Sequence, residues 1–194
     1  MPDQPPSSPV HLSCSGIILA GGQATRMGGI DKGWVEWHGE PLIQHVINRI
    51  APQVDDVVIS ANRSLDQYRA LGHRVVSDQQ QDFAGPLAGI AAALALCRHD
   101  WALVVACDCP LFPLDLCTTL QQARQQQALV LVHDGDHLQP LFMLIHRQLL
   151  PSLQQALAQQ QYKVGQWARM QSPRIVQIHT PEAFINLNTP ADLQ

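Results

Sequence analysis

A single-domain, three-layer α/β/α sandwich on a mostly parallel but mixed sheet is the fold class predicted for this chain, on three observations. Short β-branched or aliphatic runs alternate with longer stretches of helical periodicity, the sign of repeated βαβ units. The 194 residues suffice for a substantial core and suit one domain. A late segment breaks the alternation with two strand-like runs around a turn, which makes the sheet mixed.

In chain order, residues 1–15 (MPDQPPSSPVHLSCS) have neither the basic start nor the apolar stretch of a secretory signal, and read as a flexible arm before a domain over 16–194. Strands are predicted at Ile17 to Ala20, Asp56 to Ser60, Arg74 to Ser77 and Ala102 to Ala106. Between them Leu42, His45, Val46 and Ile50, then Leu87, Ile90, Ala91 and Leu94, recur at helical spacing, with Pro41 and Pro86 at expected first-turn positions. Ala128 to His133 and Leu138 to Ile145 flank Asp134-Gly135-Asp136, as a hairpin near a sheet edge or an inserted platform would. Helical stretches at Gln148 to Gln161 and Val164 to Met170, a strand at Arg174 to Ile178 and a loop at Asn186 to Pro190 complete the chain. The broken glutamine clusters near 79–81, 121–127 and 159–161 read as solvated helix faces and loops.

Composition narrows the function classes. Hydrophobic residues make up 46% and charged residues 14%, which is globular rather than disordered. A net charge of −4 and a pI near 6.1 leave no basic footprint for nucleic acid. The longest apolar stretch, Pro86 to Cys97, is too short to span a bilayer, so no membrane role is expected. Five cysteines, an odd number, read as reduced, mostly packed thiols of a cytoplasmic protein.

Two segments carry chemistry. The first strand runs into LAGGQATRMGGIDK, at the strand edge where open α/β sheets bind ligands. Gly21, Gly22, Gly28 and Gly29 let consecutive amides converge on an anion, and Arg26 and Lys32 add fixed positive charge. The P-loop and dinucleotide spacings are both excluded, because Lys32 follows Asp31 and precedes Gly33, and no G-x-G-x-x-G occurs. The segment therefore reads as a nucleoside triphosphate site of another class. The second segment, WALVVACDCP, delivers Asp108 just past a buried strand, where one carboxylate suits Mg²⁺ that completes its shell with phosphate and water. As an alternative, Asp108 caps a helix starting near Pro113. Cys107 and Cys109 form an isolated C-x-C that reads as packing rather than zinc ligation, and His133 with His137 around Asp134 and Asp136 reads as a polar turn before a transition-metal site.

Together LAGGQATRMGGIDK, GPLAGI at Gly85 to Ile90, ACDCP at Ala106 to Pro110, HDG at His133 to Gly135 and NLNTP at Asn186 to Pro190 resemble the molybdenum cofactor guanylyltransferase family, over nearly the whole chain after residue 15. The resemblance implies a Rossmann-like sandwich of the nucleoside-diphospho-sugar transferase type. It also implies a Mg²⁺-dependent enzyme that transfers GMP from GTP to molybdenum-molybdopterin and releases pyrophosphate, with transient contacts to other cofactor-biosynthesis proteins and to acceptor molybdoenzymes or their chaperones. Leu19, Ala20, Gly21 and Gly22 would line the guanine and ribose side, Lys32 would meet the phosphates, Asp78 would approach the nucleoside and Asp108 would hold Mg²⁺. Arg26 matches the glycine-rich signature as a catalytic cation, and Gly85 and Gly89 match the second glycine loop. His133, Lys163, Asn186 and Asn188 fall on the acceptor side. The chain departs from the family at Ser60, where an asparagine is frequent, and in a shorter tract after Gly135. Ser60 is retained as a weaker nucleoside contact, with Asn62 two residues further on.

Gly22 and the PLAG segment resemble the guanine-using branch. Asp78 as a strand-end turn residue, Gly85 and Gly89 as packing glycines, and NLNTP as an Asx turn remain alternatives for individual residues. Two further readings of the whole are a cytidylyltransferase acting on the same pterin or on a sugar or polyol phosphate, and a noncatalytic nucleotide-binding protein.

Overall fold

Every residue of the first strand, β1 (Cys14–Leu19), is buried, as a central parallel strand covered by helices on both faces requires. The computed structural model describes residues 12–21, 31–78 and 85–187. Cys14 and Ser15, assigned from sequence to the arm, belong to the sheet. After β1 come a two-residue ribbon, β2 (Glu36–Trp37) with β3 (Glu40–Pro41), then α1 (Leu42–Ile50), β4 (Asp56–Ser60), α2 (Leu65–Ala70) and β5 (Arg74–Val76). The second half runs α3 (Gly85–Leu96), β6 (Trp101–Ala106), α4 (Leu116–Ala123), β7 (Leu129–His133), β8 (Leu138–His146), α5 (Leu150–Ala158), α6 (Val164–Met170) and β9 (Arg174–Gln177).

The main sheet has seven strands in the order β5-β4-β1-β6-β8-β7-β9. β1 pairs in parallel with both β4 and β6, β4 with β5, and β7 with β9. β8 is antiparallel to β6 and to β7, so it alone runs against the rest. Alternation along the strands divides the core in two. Ile18, Val57, Ile59, Leu103 and Val105 pack with α1, α2 and α4, whereas Ile17, Leu19, Val58, Ala102 and Val104 pack with α3, α5 and α6. The fold class is the predicted mixed, three-layer sandwich. Gly16 serves the first layer: a Cβ there would stand 2.9 Å from Ile50 Cδ1, so its absence lets α1 lie close on the sheet.

Two further local expectations are corrected. Pro41 closes β3 and precedes α1 in an extended conformation instead of occupying the helix's first turn, because the ribbon leads directly into the helix. Pro86 is inside α3, as expected. The β7 and β8 runs do form a hairpin, but it is not an inserted platform: β8 lies inside the sheet, and β9 forms the edge beyond β7.

The turn of that hairpin is held by one carboxylate. Buried Asp134 accepts at Oδ1 from the amides of Asp136 (2.8 Å) and His137 (2.7 Å), and at Oδ2 from Gln139 Nε2 (2.6 Å). Burial raises its pKa, but these bonds more than offset it, leaving the carboxyl below the usual range. Such a group stabilises the fold above its unfolded value near 3.8 and ceases to do so as pH falls through its lower folded value. Asp134→Ala is therefore expected to cost about 1–3 kcal/mol at pH 7 in urea unfolding. The difference from the parent protein should shrink on acidification below pH ~4; a pH-independent difference would show that charge is not what the turn uses.

Candidate functional site

The site follows from strand order. β1 is flanked by β4 on one side and β6 on the other, and the crossovers leave on opposite faces, through α1 and through α3. That divergence opens a crevice at the carboxyl ends of β1, β4 and β6. A cleft of about 400 Å³ lies there, within the range that accepts a small ligand.

Each strand end contributes to its wall. Leu19 and Gly21 come from β1, Ser60 and Asn62 from β4, Asp78 from the segment after β5, and Cys107 and Asp108 from beyond β6. Gly85, Pro86 and Gly89 close it from α3, and Leu141 from β8. Ala20 is buried behind this wall, and its amide donates to the Ser60 carbonyl at 2.7 Å, which extends the ladder between β1 and β4.

The floor carries an ion pair. Lys32 heads a single 3₁₀ turn (Lys32–Trp34), and its Nζ lies 3.0 Å from Asp108 Oδ2. Both side chains are about one-fifth exposed, at 20% and 18%, so the pair faces the cleft and contributes under ~1 kcal/mol to stability. The predicted cation and carboxylate are thus brought together. Asp108 does not cap the following helix. That helix starts at Leu116 behind Asp115, while Asp108 contacts Lys32 and Cys109 Sγ.

The wall formed beyond β4 and β5 is more ordered than the sequence implied. Asn62 accepts at Oδ1 from Ser77 Oγ (3.0 Å) and the Asp78 amide (3.1 Å), and its Nδ2 donates to Asp78 Oδ2 (2.9 Å). The Asp78 carboxylate is therefore oriented by a fixed amide. Gly21 lies beside it, since a Cβ there would stand 3.3 Å from Asn62 Nδ2. Ser60 is buried against Gly89, where an added Cβ would come within 2.6 Å of Ser60 Oγ. The first turns of α3 can thus lie directly on the ends of β1 and β4. Gly89→Ala is expected to displace α3 or turn Ser60 into the cleft, costing about 1–3 kcal/mol of stability. Parent-like stability in urea unfolding would show that α3 and the end of β4 do not press on one another.

The residues that the family resemblance sets on the acceptor side are only partly assembled. Asn186 is drawn to the floor: Cys109 Sγ donates to Asn186 Oδ1, and the Leu187 amide donates to the Asp108 carbonyl at 2.8 Å. Burial, then the neighbouring Asp108 and Cys107, push the Cys109 thiol well up, so it stays a neutral donor. His133 ends β7, with Nδ1 accepting from the Gly135 amide, and Lys163 is the exposed residue before α6; neither lines the cleft. Gly22, Arg26, Gly28, Gly29 and Asn188 lie outside the described residues. Among the described residues, no three His, Cys, Asp or Glu side chains gather to enclose a metal.

The family model for a MobA-like NTP transferase domain matches residues 16–174, and with the fold and the cleft this sets the class as nucleotidyltransferase. The molybdenum cofactor guanylyltransferase of Vibrio campbellii is 45% identical to this chain over 181 residues, covering 92% of each. That of Pasteurella multocida is 41% identical over 186 residues, covering 94% of this chain and 98% of its own. The chain belongs to the molybdenum cofactor guanylyltransferase family. Among solved structures, molybdopterin-guanine dinucleotide biosynthesis protein A from Archaeoglobus fulgidus has a TM-score of 0.75 at 23% identity, over 92% of this chain and 94% of its own, a likeness of fold.

Proposed function

We propose that this protein transfers GMP from GTP to the terminal phosphate of molybdenum-molybdopterin, forming the guanine dinucleotide cofactor and releasing pyrophosphate. The single observation that carries the site assignment is the Lys32–Asp108 pair on the floor of the strand-end cleft, in a chain of this family. An acceptor phosphate oxygen attacks the α-phosphorus, a P–O bond forms there, and the bond to the β-phosphate oxygen breaks. No enzyme nucleophile is needed, so positioning and charge stabilisation account for the chemistry.

Leu19, Gly21, Asn62 and Asp78 border the guanosine, with Ala20 and Ser60 behind them, and Gly22 is assigned to the same side on family membership. Gly85 and Gly89 let α3 approach the nucleotide. Lys32, joined by Arg26, turns from Asp108 toward the phosphates and stabilises charge on the departing pyrophosphate. Asp108 suits Mg²⁺: it is a partly exposed carboxylate on the floor of the cleft, a donor for an ion that takes its remaining ligands from phosphate and water. When bound there, Mg²⁺ neutralises triphosphate charge. Asn186 faces the pterin, with His133 and Lys163 further out, and Asn188 is assigned to the same side on family membership.

We place the reaction in the cytoplasm, where the five free, buried cysteines stay reduced. Among the described residues no helix is long and apolar enough to cross a membrane. Transient contact with other cofactor-biosynthesis proteins and with acceptor molybdoenzymes or their chaperones is proposed on family membership alone. The test is pyrophosphate release with GTP or CTP, with and without molybdenum-molybdopterin and Mg²⁺. Release with GTP that requires acceptor and metal is expected; release with CTP would reassign the base, and GTP binding without product would mark a noncatalytic binder.

A further inference from the structure

Lys32 enters the cleft from a segment with neither strand nor α-helix to hold it, and the residue that fixes it comes from another element. We propose that Tyr68 of α2, which does not line the cleft, is the positioning residue for Lys32: its hydroxyl, through Asp31, clamps the turn that aims the lysine at the phosphates. This rests on the reading of Lys32 as a phosphate ligand.

Tyr68 is fully buried, and its hydroxyl donates to Asp31 Oδ1 at 2.7 Å. The same Asp31 oxygen accepts from the Gly33 amide at 3.2 Å, while the Asp31 carbonyl accepts from the Trp34 amide at 3.0 Å. Asp31 thus starts the turn whose first residue is Lys32, and the phenol holds Asp31. Two further contacts seat the phenol. A Cβ on Gly33 would stand 2.2 Å from the Tyr68 oxygen, a position only glycine leaves open, and the Trp34 ring lies 5.2 Å from the Tyr68 ring. Burial, then the nearby Cys107 and the bond to Asp31, raise the phenol's pKa, so it remains a donor throughout the working range of pH. Cys107 directly precedes Asp108, so Tyr68 is also near the strand end that carries the carboxylate.

The ring alone would serve packing; the hydroxyl is what the clamp requires. Tyr68→Phe keeps the ring and is expected to weaken GTP binding, measured by calorimetry, about tenfold, the effect of one well-placed hydrogen bond. In a Lys32→Ala background the same substitution should change affinity less than about twofold, because its effect travels through the lysine. Asp31→Asn, which keeps an acceptor oxygen, should retain most of the affinity, whereas Asp31→Ala should behave like Tyr68→Phe.

Parent-like affinity in Tyr68→Phe, or an equal loss in both backgrounds, would overturn the clamp while leaving the proposed reaction standing. If Lys32→Ala alone binds GTP as tightly as the parent, the phosphate role of Lys32 fails and the clamp with it. GTP-dependent transfer by the parent protein, assayed in parallel, tests the proposed function separately.

Discussion

Asp108→Asn is expected to lower GMP transfer by about a thousandfold or more at saturating GTP and Mg²⁺, with little change in stability. The amide matches the carboxylate in size but carries no charge, so the cleft loses the carboxylate that pairs with Lys32 on its floor, near the segment that carries Asn186. The fold should tolerate this, because the Asp108–Lys32 pair is partly solvated and worth under ~1 kcal/mol, and the main-chain bond from Leu187 to the Asp108 carbonyl is untouched. Thermal unfolding within a few degrees of the parent, beside a collapse of turnover in a pyrophosphate-release assay, is the expected pair of results. Turnover within about tenfold of the parent would remove Asp108 from the chemistry.

Lys32→Met should reduce kcat/KM for GTP by about a hundred- to a thousandfold, the usual consequence of deleting a charge aimed at a transferring phosphoryl group in a partly dehydrated site. Methionine keeps most of the aliphatic stem, so the turn over Tyr68 and Trp34 should persist and the deficit should report the ammonium alone. The loss should divide between a higher KM, since the lysine meets the ground-state triphosphate, and a lower kcat, since charge grows on the departing pyrophosphate. A rise in KM with kcat unchanged would confine Lys32 to ground-state binding.

The strands and helices that make the sandwich were legible because burial on two faces leaves long apolar runs, as in CSGIIL and WALVVA, and because helical spacing recurs between them. Lys32 and Asp108 were legible for a related reason: Asp108 follows directly on a buried strand and Lys32 ends the glycine-rich segment that leaves another, at the ligand-binding edge of such sheets. Their 3.0 Å approach spans distant parts of the chain and has no local sign. Asn62 was set beside Ser60 as a neighbour without a role, because its bonds to Ser77 and Asp78 depend on β4 and β5 lying side by side. Tyr68 was missed for the same reason: a lone tyrosine on a short helix gives no hint that its hydroxyl reaches Asp31. The place of β8 inside the sheet could not be read from its length or composition, since a hairpin can join a sheet by either of its strands.

The bond from the Leu187 amide to the Asp108 carbonyl has a temporal meaning during synthesis. A nascent chain that has emerged only as far as Pro110 already carries Lys32, Asn62 and Asp108, yet nothing of the flank that brings Asn186 to the floor. Asn186 is therefore synthesised after every strand of the sheet, β9 included. Such a chain would hold the Lys32 and Asp108 side of the cleft without the segment that the proposed function gives to the second substrate.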